Sequence, residues 1–550
     1  MKKIISMILT VMMVLSGCSS YEAVHEREAY GKNGMVSSGS AEASEIGLRI
    51  LENGGNAIDA AVAVGFAIGV LEPNASGIGG GGFMLIRTAK GETAFIDFRE
   101  ITPLLGDLSQ YTILDGEVQS MENQIGPKSI GVPGEVMGLL TALEDYGTMS
   151  RKDVLTPAIS LATDGIMVSE TLASIAQGKF DLIMSDPSMM SIFTSDGLPL
   201  MAGDFIKNIE LGETLNLISE NGIEGFYNSD FTTTLVEGLQ DRGSYIQLED
   251  FNTYNVLKSE PVTGSYRGVD IISAPPSSSG GTHVIEILNI LENYNLNEMD
   301  PYSAKTLHLW SEAYKIAYRD RMLYMADPAF VDVPIEGLTS KAYAKDMAAQ
   351  ITDAVTEFNV LDPWPYESGS TTHYSIIDKE GNMVSVTKTI NHFFGSGVMV
   401  NGILFNDEIA DLSFDPESPN FIEPGKRPLS SMSPTLLLKD GKAFASLGTP
   451  GGKRIISTIP WIISQLVDYD KNIQEAIDAS RIAQYESGPL YIEGELDESI
   501  QVELIQMGHD LYFRKENDLF FGGAQGILIL EDGYLHGGAD LRRDGYAKGY

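Results

Sequence analysis

Thr371-Thr372-His373-Tyr374-Ser375-Ile376-Ile377-Asp378, then Lys379-Glu380-Gly381-Asn382, then Met383-Val384-Ser385-Val386-Thr387-Lys388-Thr389-Ile390-Asn391, form two alternating runs around a polar, glycine-containing break. Apolar and polar residues alternate on both sides of the break, which is the pattern of a β-hairpin. With the turn centred on the break, paired positions sum to 761 or 762, so Thr371 is expected to face Ile390 or Asn391. Thr389 then falls in the diagonal neighbourhood of Thr371 on the same face. Two hydroxyls and an amide gather at one end of the hairpin. Spacing alone leaves an ordinary polar strand end as the alternative to a reactive site.

Beyond this hairpin the chain continues to its C-terminus as short alternating strands with turns. Upstream, Ser44 to Leu51 has helical spacing and stops at Gly54-Gly55, a C-terminal cap signal. Asn56-Ala57-Ile58-Asp59 opens Ala60 to Leu71, apolar all round and so a buried helix. The glycine run 77–82 leads into a strand at Phe83 to Ile86, and Thr93 to Phe98 is its hairpin partner. Residues 105 to 355 read as mostly helical, with clear helical spacing at Val154 to Ala162, Ile285 to Leu291 and Ala304 to Ala317. Helices set against antiparallel strands imply a layered α+β fold.

The 550 residues carry 37 Lys and Arg against 76 Asp and Glu, a net charge of −39. That balance excludes nucleic acid as a partner, because phosphate binding needs clustered cations. A single cysteine excludes an intrachain disulfide and a Cys-rich zinc site. No two of the seven His sit at metal-ligand spacing on a helix, so no metal and no organic cofactor is expected. Gly77-x-Gly79-x-x-Gly82 matches the dinucleotide fingerprint in letters, but it lies between a helix and a strand in the wrong order. It reads instead as a tight backbone crossing. The adjacent Gly451 and Gly452 can bring bare N–H groups close to a ligand.

Lys2 and Lys3 precede an apolar run from Ile4 to Leu15, the pattern of a secretory signal over residues 1–17. Leu15-Ser16-Gly17-Cys18 resembles a bacterial lipobox. Cys18 is then the lipidated first residue of the mature chain, and 18–33 a polar tether. Acyl chains would hold the protein on the extracytoplasmic face of a bacterial cell membrane.

The motifs resemble the γ-glutamyltranspeptidase family of N-terminal-nucleophile hydrolases. They include Gly54-Gly55-Asn56-Ala57-x-Asp59-Ala60-Ala61, the run 77–83, Asp97-Phe98-Arg99-Glu100 and Pro275-Pro276-Ser277-Ser278-Ser279-Gly280-Gly281. Thr371-Thr372-His373, Arg427-Pro428-Leu429-Ser430-Ser431-Met432-Ser433-Pro434 and Pro450-Gly451-Gly452 complete the set in order. The resemblance implies an αββα four-layer sandwich made from one precursor cut between Ser370 and Thr371. A large chain, 34–370 after its tether, would stay interlocked as a heterodimer with a small chain, 371–550.

By the same resemblance Thr371 is the nucleophile, and Thr389 hydrogen-bonds near its freed amine. Gly451 and Gly452 hold the oxyanion. Arg99, Ser430 and Ser431 take the substrate α-carboxylate, while Asn391, Glu408 and Asp411 take its α-ammonium. The implied activity is transfer of a γ-glutamyl group from glutathione or glutamine to water, amino acids or peptides. Arg99 beside Glu100 also fits a structural ion pair, and Glu408 with Asp411 a solvated acidic face. His373 is expected to serve packing rather than acid–base chemistry. Only Leu412 to Gly425 separates Asp411 from Lys426, shorter than the lid of many members, so the cleft is expected to be open. A poly-γ-glutamate depolymerase of the same family and a non-catalytic, amino-acid-binding surface lipoprotein are the other readings.

Overall fold

The computed structural model describes residues 26–114, 117–356 and 371–550. The signal segment, Cys18 and Ser370 lie outside the described residues.

The hairpin read from the sequence is the middle of a seven-stranded antiparallel sheet. Its strands run in the order Leu257–Ser259, Thr93–Asp97, Gly81–Arg87, Met383–Thr389, Thr372–Asp378, Gly34–Ser38 and Tyr546–Gly549. The four central strands, Gly81–Arg87, Met383–Thr389, Thr372–Asp378 and Gly34–Ser38, are buried on both faces, whereas the edge strand Leu257–Ser259 is exposed. Met84, Ile86, Tyr374, Ile376, Val384 and Val386 point into one core, shared with the helices Ala57–Leu71, Glu135–Tyr146 and Arg151–Asp164. Phe83, Leu85, Ile377 and Met383 point the other way, into a second core against another sheet.

That second sheet is also seven-stranded, in the order Ala29–Gly31, Leu535–Ala539, Gln525–Ile529, Lys442–Gly448, Thr435–Lys439, Val269–Ser273 and Val262–Tyr266. The helices Gly280–Leu291 and Ile455–Val467 pack on its outer face, with Ala304–Tyr324 against the first of them. The layers are therefore helix, sheet, sheet, helix, and both sheets mix segments from before and after residue 370.

Four expectations change. The hairpin pairs Thr372 with Lys388 and Ile377 with Met383, so positions sum to 760 and not to 761 or 762. The cause is a three-residue turn. Asp378 N–H donates to Asn382 O, and Gly381 takes the left-handed φ of 91° that this turn needs. The polar tether is not tether throughout. Ala29–Gly31 is a strand paired to Leu535–Gly537, and buried Glu28 meets His536 at 2.9 Å. Residues 262–273, in the region read as mostly helical, are two strands. Ile455–Val467, inside the region read as all strands, is a helix despite its β-branched residues and Pro460. It buries nearly every side chain, so packing overrides propensity there.

The end of the second sheet is tied by buried charge. Asp540 accepts from Arg481 Nη2 at 2.6 Å, Arg542 Nη1 at 3.1 Å and the backbone N–H groups of Ala524 and Arg542. Burial alone would raise this carboxyl, but the two guanidiniums and the N–H groups outweigh it and pull it down to about 2. A depressed folded pKa contributes stability that is complete above the unfolded value near 4, about 2 kcal/mol here, and is lost as pH falls through about 2. Asp540→Asn is expected to cost about 3–5 kcal/mol at neutral pH, since it takes the carboxylate partner from buried Arg481 and leaves buried Arg542 with Glu493 alone. It should also flatten the acid limb of the urea midpoint against pH. An unchanged midpoint at pH 7 would refute this.

Candidate active site

Thr371 stands one residue before the central strand Thr372–Asp378, and Thr389 ends the neighbouring strand. With the corrected register they oppose each other directly instead of diagonally. Their hydroxyls are 3.3 Å apart, with Thr371 donating, and Thr389 Oγ1 also accepts from Asn391 N–H at 2.8 Å. Both residues are almost wholly buried. The glycine run explains how the backbone closes on this point. A Cβ on Gly80 would lie 2.0 Å from the carbonyl oxygen of Thr389, and one on Gly79 2.2 Å from that of Leu404. The run is a backbone crossing, and no phosphate cradle is needed to account for it.

The carbonyl of Thr371 is also held. Arg543, buried and next in sequence to Arg542 of the Asp540 network, donates Nη1 to Thr371 O at 2.6 Å. His373, next but one along the strand, contacts Thr387 Oγ1 at 2.9 Å and Ser375 Oγ at 3.1 Å. Burial lowers its pKa to about 3, so it is a neutral strand residue and not an acid or base.

Thr371 opens into a pocket lined by Thr389, Arg99, Asn391, Asp411, Ser430, Ser431 and Gly452. Arg321, His392 and Lys453 complete its polar wall. Of the residues expected here, only Gly451 and Glu408 are absent from that wall. Gly451 precedes Gly452, and both take left-handed φ values, 140° and 58°, at the start of a short helical turn. Side chains are excluded there, so backbone N–H groups can approach a ligand.

Arg99 is the charged centre of the pocket. Nη1 lies 2.7 Å from Glu408 Oε2 and 3.5 Å from Glu100, Nη2 lies 2.6 Å from Asp411, and Nε donates to Pro428 O at 3.2 Å. Its backbone is set by Asp97, which accepts Arg99 N–H at 2.8 Å and the Ser277 hydroxyl at 3.0 Å. Burial would lower the guanidinium pKa, but Glu408, Glu100 and Asp411 outweigh it and hold it above its ordinary value. Burial pushes Glu408 well up, with Arg99 opposing. Glu100 shifts the same way for the same reason.

The acidic residues divide by reach. The Glu408 side chain is 0 % exposed and lies behind Arg99, whereas Asp411 is 21 % exposed and faces the pocket. Glu408 is therefore no solvated acidic face, and in this state it touches the guanidinium. Asn391 Nδ2 reaches Asp411 Oδ1 at 3.4 Å. The two serines come from the loop after Pro428. Ser430 Oγ accepts from Met432 N–H at 3.1 Å, and Ser430 O accepts from Ser279 N–H and Oγ at 2.9 and 2.8 Å. None of Leu412–Gly425 lines the Thr371 pocket. Leu412 and Ile422 pack instead with Tyr111 and Tyr245, and residues 412–420 wall a wider groove alongside.

Arg321, Lys453 and Arg543 were not singled out in the sequence. Arg321 looks like one more charge on a long helix, and its position becomes visible only when that helix is laid against the loop at Ser279.

An αββα sandwich with a hydroxyl residue at the head of a central strand defines the N-terminal-nucleophile hydrolase class. The model of the gamma-glutamyltranspeptidase family matches residues 43–550, and the chain belongs to that family. It is 39 % identical over 538 residues to the glutathione hydrolase proenzyme of Escherichia coli, covering 94 % of this chain and 92 % of that one. The crystal structure of cephalosporin acylase from Bacillus halodurans superposes with a TM-score of 0.87 at 28 % identity, covering 98 % of this chain and 99 % of that chain. A chain of the gamma-glutamyltranspeptidase from Pseudomonas nitroreducens gives a TM-score of 0.55 at 31 % identity. It covers 62 % of this chain and 97 % of itself. The protein is thus an enzyme of this family and is made as a proenzyme.

Proposed function

We propose that the chain cuts itself between Ser370 and Thr371 and then uses Thr371 to move γ-glutamyl groups from glutathione-like donors to water or to amines. The observation that carries this is the Thr371 hydroxyl, paired to Thr389 inside a pocket with a buried, carboxylate-flanked guanidinium. Scission frees the α-amino group of Thr371, whose ordinary pKa of about 8 suits a base near neutral pH. Thr371 Oγ attacks the γ-carbonyl carbon and its proton passes to that amine. The donor C–N bond breaks and the leaving amine takes the proton. N–H groups at Gly451 and Gly452 would stabilise the tetrahedral oxyanion by a few kcal/mol.

The far end of the substrate is a zwitterion. Its carboxylate would take Arg99 with Ser430 and Ser431, and its ammonium would take Asp411 with Asn391. The Arg99–Asp411 pair is then exchanged for two pairs to the ligand, so no charge is left buried alone. Glu408 would act through Arg99, balancing its charge while the exchange occurs. The γ-carbonyl, at the opposite end of the glutamyl skeleton, is what reaches Thr371.

Lipidation at Cys18, and with it a place on the extracytoplasmic face of the membrane, belongs to the same proposal on the motif alone. Mass spectrometry of the purified protein tests both parts. Two chains with a new N-terminal Thr371, together with release of glutamate from glutathione, are the expected result. A single intact chain that still turns over glutathione would overturn the mechanism. A mature N-terminus at Cys18 without added lipid mass would overturn the anchor.

A further inference from the structure

The wider groove beside the Thr371 pocket is more space than a γ-glutamyl group needs. Its volume of about 380 Å³ is that of a small-molecule site. The groove and the pocket share Arg321, Asp411, Leu429 and Lys453. Of the side chains given above to the donor's two α groups, Asp411 alone lines both spaces. Arg99, Asn391, Ser430 and Ser431 line only the pocket, as do Thr371 and Gly452 at the γ-carbonyl. The groove therefore opens from the place of the donor's α-nitrogen.

Its wall is tied to that place. Asn420 Nδ2 donates to Asp411 O at 2.6 Å, and Ser413 exchanges backbone bonds of 2.9 Å with Asn420 and Ile422. Leu412 and Ile422 are anchored in the cluster of Tyr111 and Tyr245. Charge is ordered along the groove. Arg321 and Lys453 stand at the junction with the pocket, while Asp415 and Glu417 are exposed on the outer wall.

We propose that this groove takes an acyl group carried on the donor's α-nitrogen, which extends the substrates to short peptides that end in glutamine. The inference rests on the γ-glutamyl transfer reading above. A C-terminal glutamine keeps the free α-carboxylate that Arg99, Ser430 and Ser431 would hold. Its α-nitrogen is an amide whose N–H donates to Asp411. Asp411 then keeps Arg99, at 2.6 Å, instead of exchanging it for an ammonium, so neither charge is buried alone. The preceding residue enters the groove. Its carbonyl oxygen would accept from Arg321 or Lys453 at the junction, and its α-ammonium would lie toward Asp415 and Glu417. Oxygen first and cation second is the order of a dipeptide, and it matches the order of the wall.

The chemistry at Thr371 is unchanged. Oγ attacks the side-chain carboxamide carbon, the C–N bond breaks, and ammonia leaves with the proton relayed by the Thr371 amine. Water then opens the ester, a proton returns to Oγ, and the peptide leaves with glutamate in place of glutamine. The peptide bond in the groove stays intact. A poly-γ-glutamate chain would instead bring a further carboxylate beside Asp415 and Glu417, where like charge disfavours it.

The test uses the processed enzyme near pH 7 with glycylglutamine and N-succinylglutamine, which put a cation or an anion into the groove on chains of similar length. Ammonia release gives kcat/KM, and mass spectrometry shows whether the product is intact glycylglutamate. The wild type is expected to deamidate glycylglutamine and to prefer it by about tenfold or more. Asp415→Asn combined with Glu417→Gln should bring that ratio close to one. Using a ratio within each protein cancels any general loss of folding or turnover. An enzyme that cuts a γ-glutamyl anilide but leaves glycylglutamine untouched overturns the subsite. So does a wild-type ratio near one, or a ratio unchanged in the double variant. No release of the anilide by the wild type would instead overturn the reading of the reaction itself.

Discussion

Thr371→Ala is expected to run as one band on a denaturing gel and to lose γ-glutamyl turnover by on the order of 10⁴-fold or more. The reason is that, on the proposed mechanism, one oxygen serves two reactions. Before scission, Thr371 Oγ would attack the carbonyl of Ser370. After scission the same atom would attack the donor, with the amine made by the first reaction as its base. Removing the oxygen would stop both, while the hydrogen bond to Thr389 at 3.3 Å that is lost with it is worth about 1 kcal/mol. Circular dichroism and the urea midpoint should therefore stay near the wild-type values. Thr371→Ser keeps the oxygen and should recover both cutting and turnover at a reduced rate. Two bands from Thr371→Ala would place the attacking group elsewhere.

Arg99→Gln is the second large effect, and it should split into a binding loss and a pH-dependent stability loss. Two charge-assisted bonds to the donor carboxylate disappear, so kcat/KM for a γ-glutamyl donor is expected to fall by about 10³-fold, mostly through KM. The same change leaves Glu408 and Glu100 buried without their cation, at a cost of about 3–5 kcal/mol where they are ionised. Burial already raises both carboxyls, Glu100 to about 8, and losing Arg99 raises them further. They take up protons as pH falls, so the stability penalty should shrink as pH falls from about 10 to 8. Urea midpoints at the two ends of that window check the sign. A penalty that grows toward pH 8, or a donor KM that does not move, would remove Arg99 from this role.

The fold was legible where a pattern had one physical meaning. Alternation across 371–391 could only be a hairpin, and the apolar helix ending at Leu71 could only be buried. The register was off by one or two places because a single residue, Gly381, decides whether the turn has three residues or four. The helix at Ile455–Val467 was hidden because β-branched residues favour strands locally, and its reason for being helical is the sheet beneath it. In the site, most of the pocket wall was readable from motifs. The division between Asp411 on the wall and Glu408 behind Arg99 was not, because three residues along a chain do not say which side chain meets solvent. Arg321 and Lys453 lacked any local signal, since their place on the pocket wall follows from how distant segments pack, which only three dimensions can show.

Because each seven-stranded sheet is woven from segments on both sides of residue 370, the proposed scission before Thr371 is expected only in a molecule that is already assembled. Self-cutting then doubles as an internal gauge of maturation. The ratio of long to short bands reports how many molecules reached the native state, without any substrate. Lesions far from the pocket, such as one at Asp540, should register as accumulated zymogen before they register as altered kinetics in the survivors.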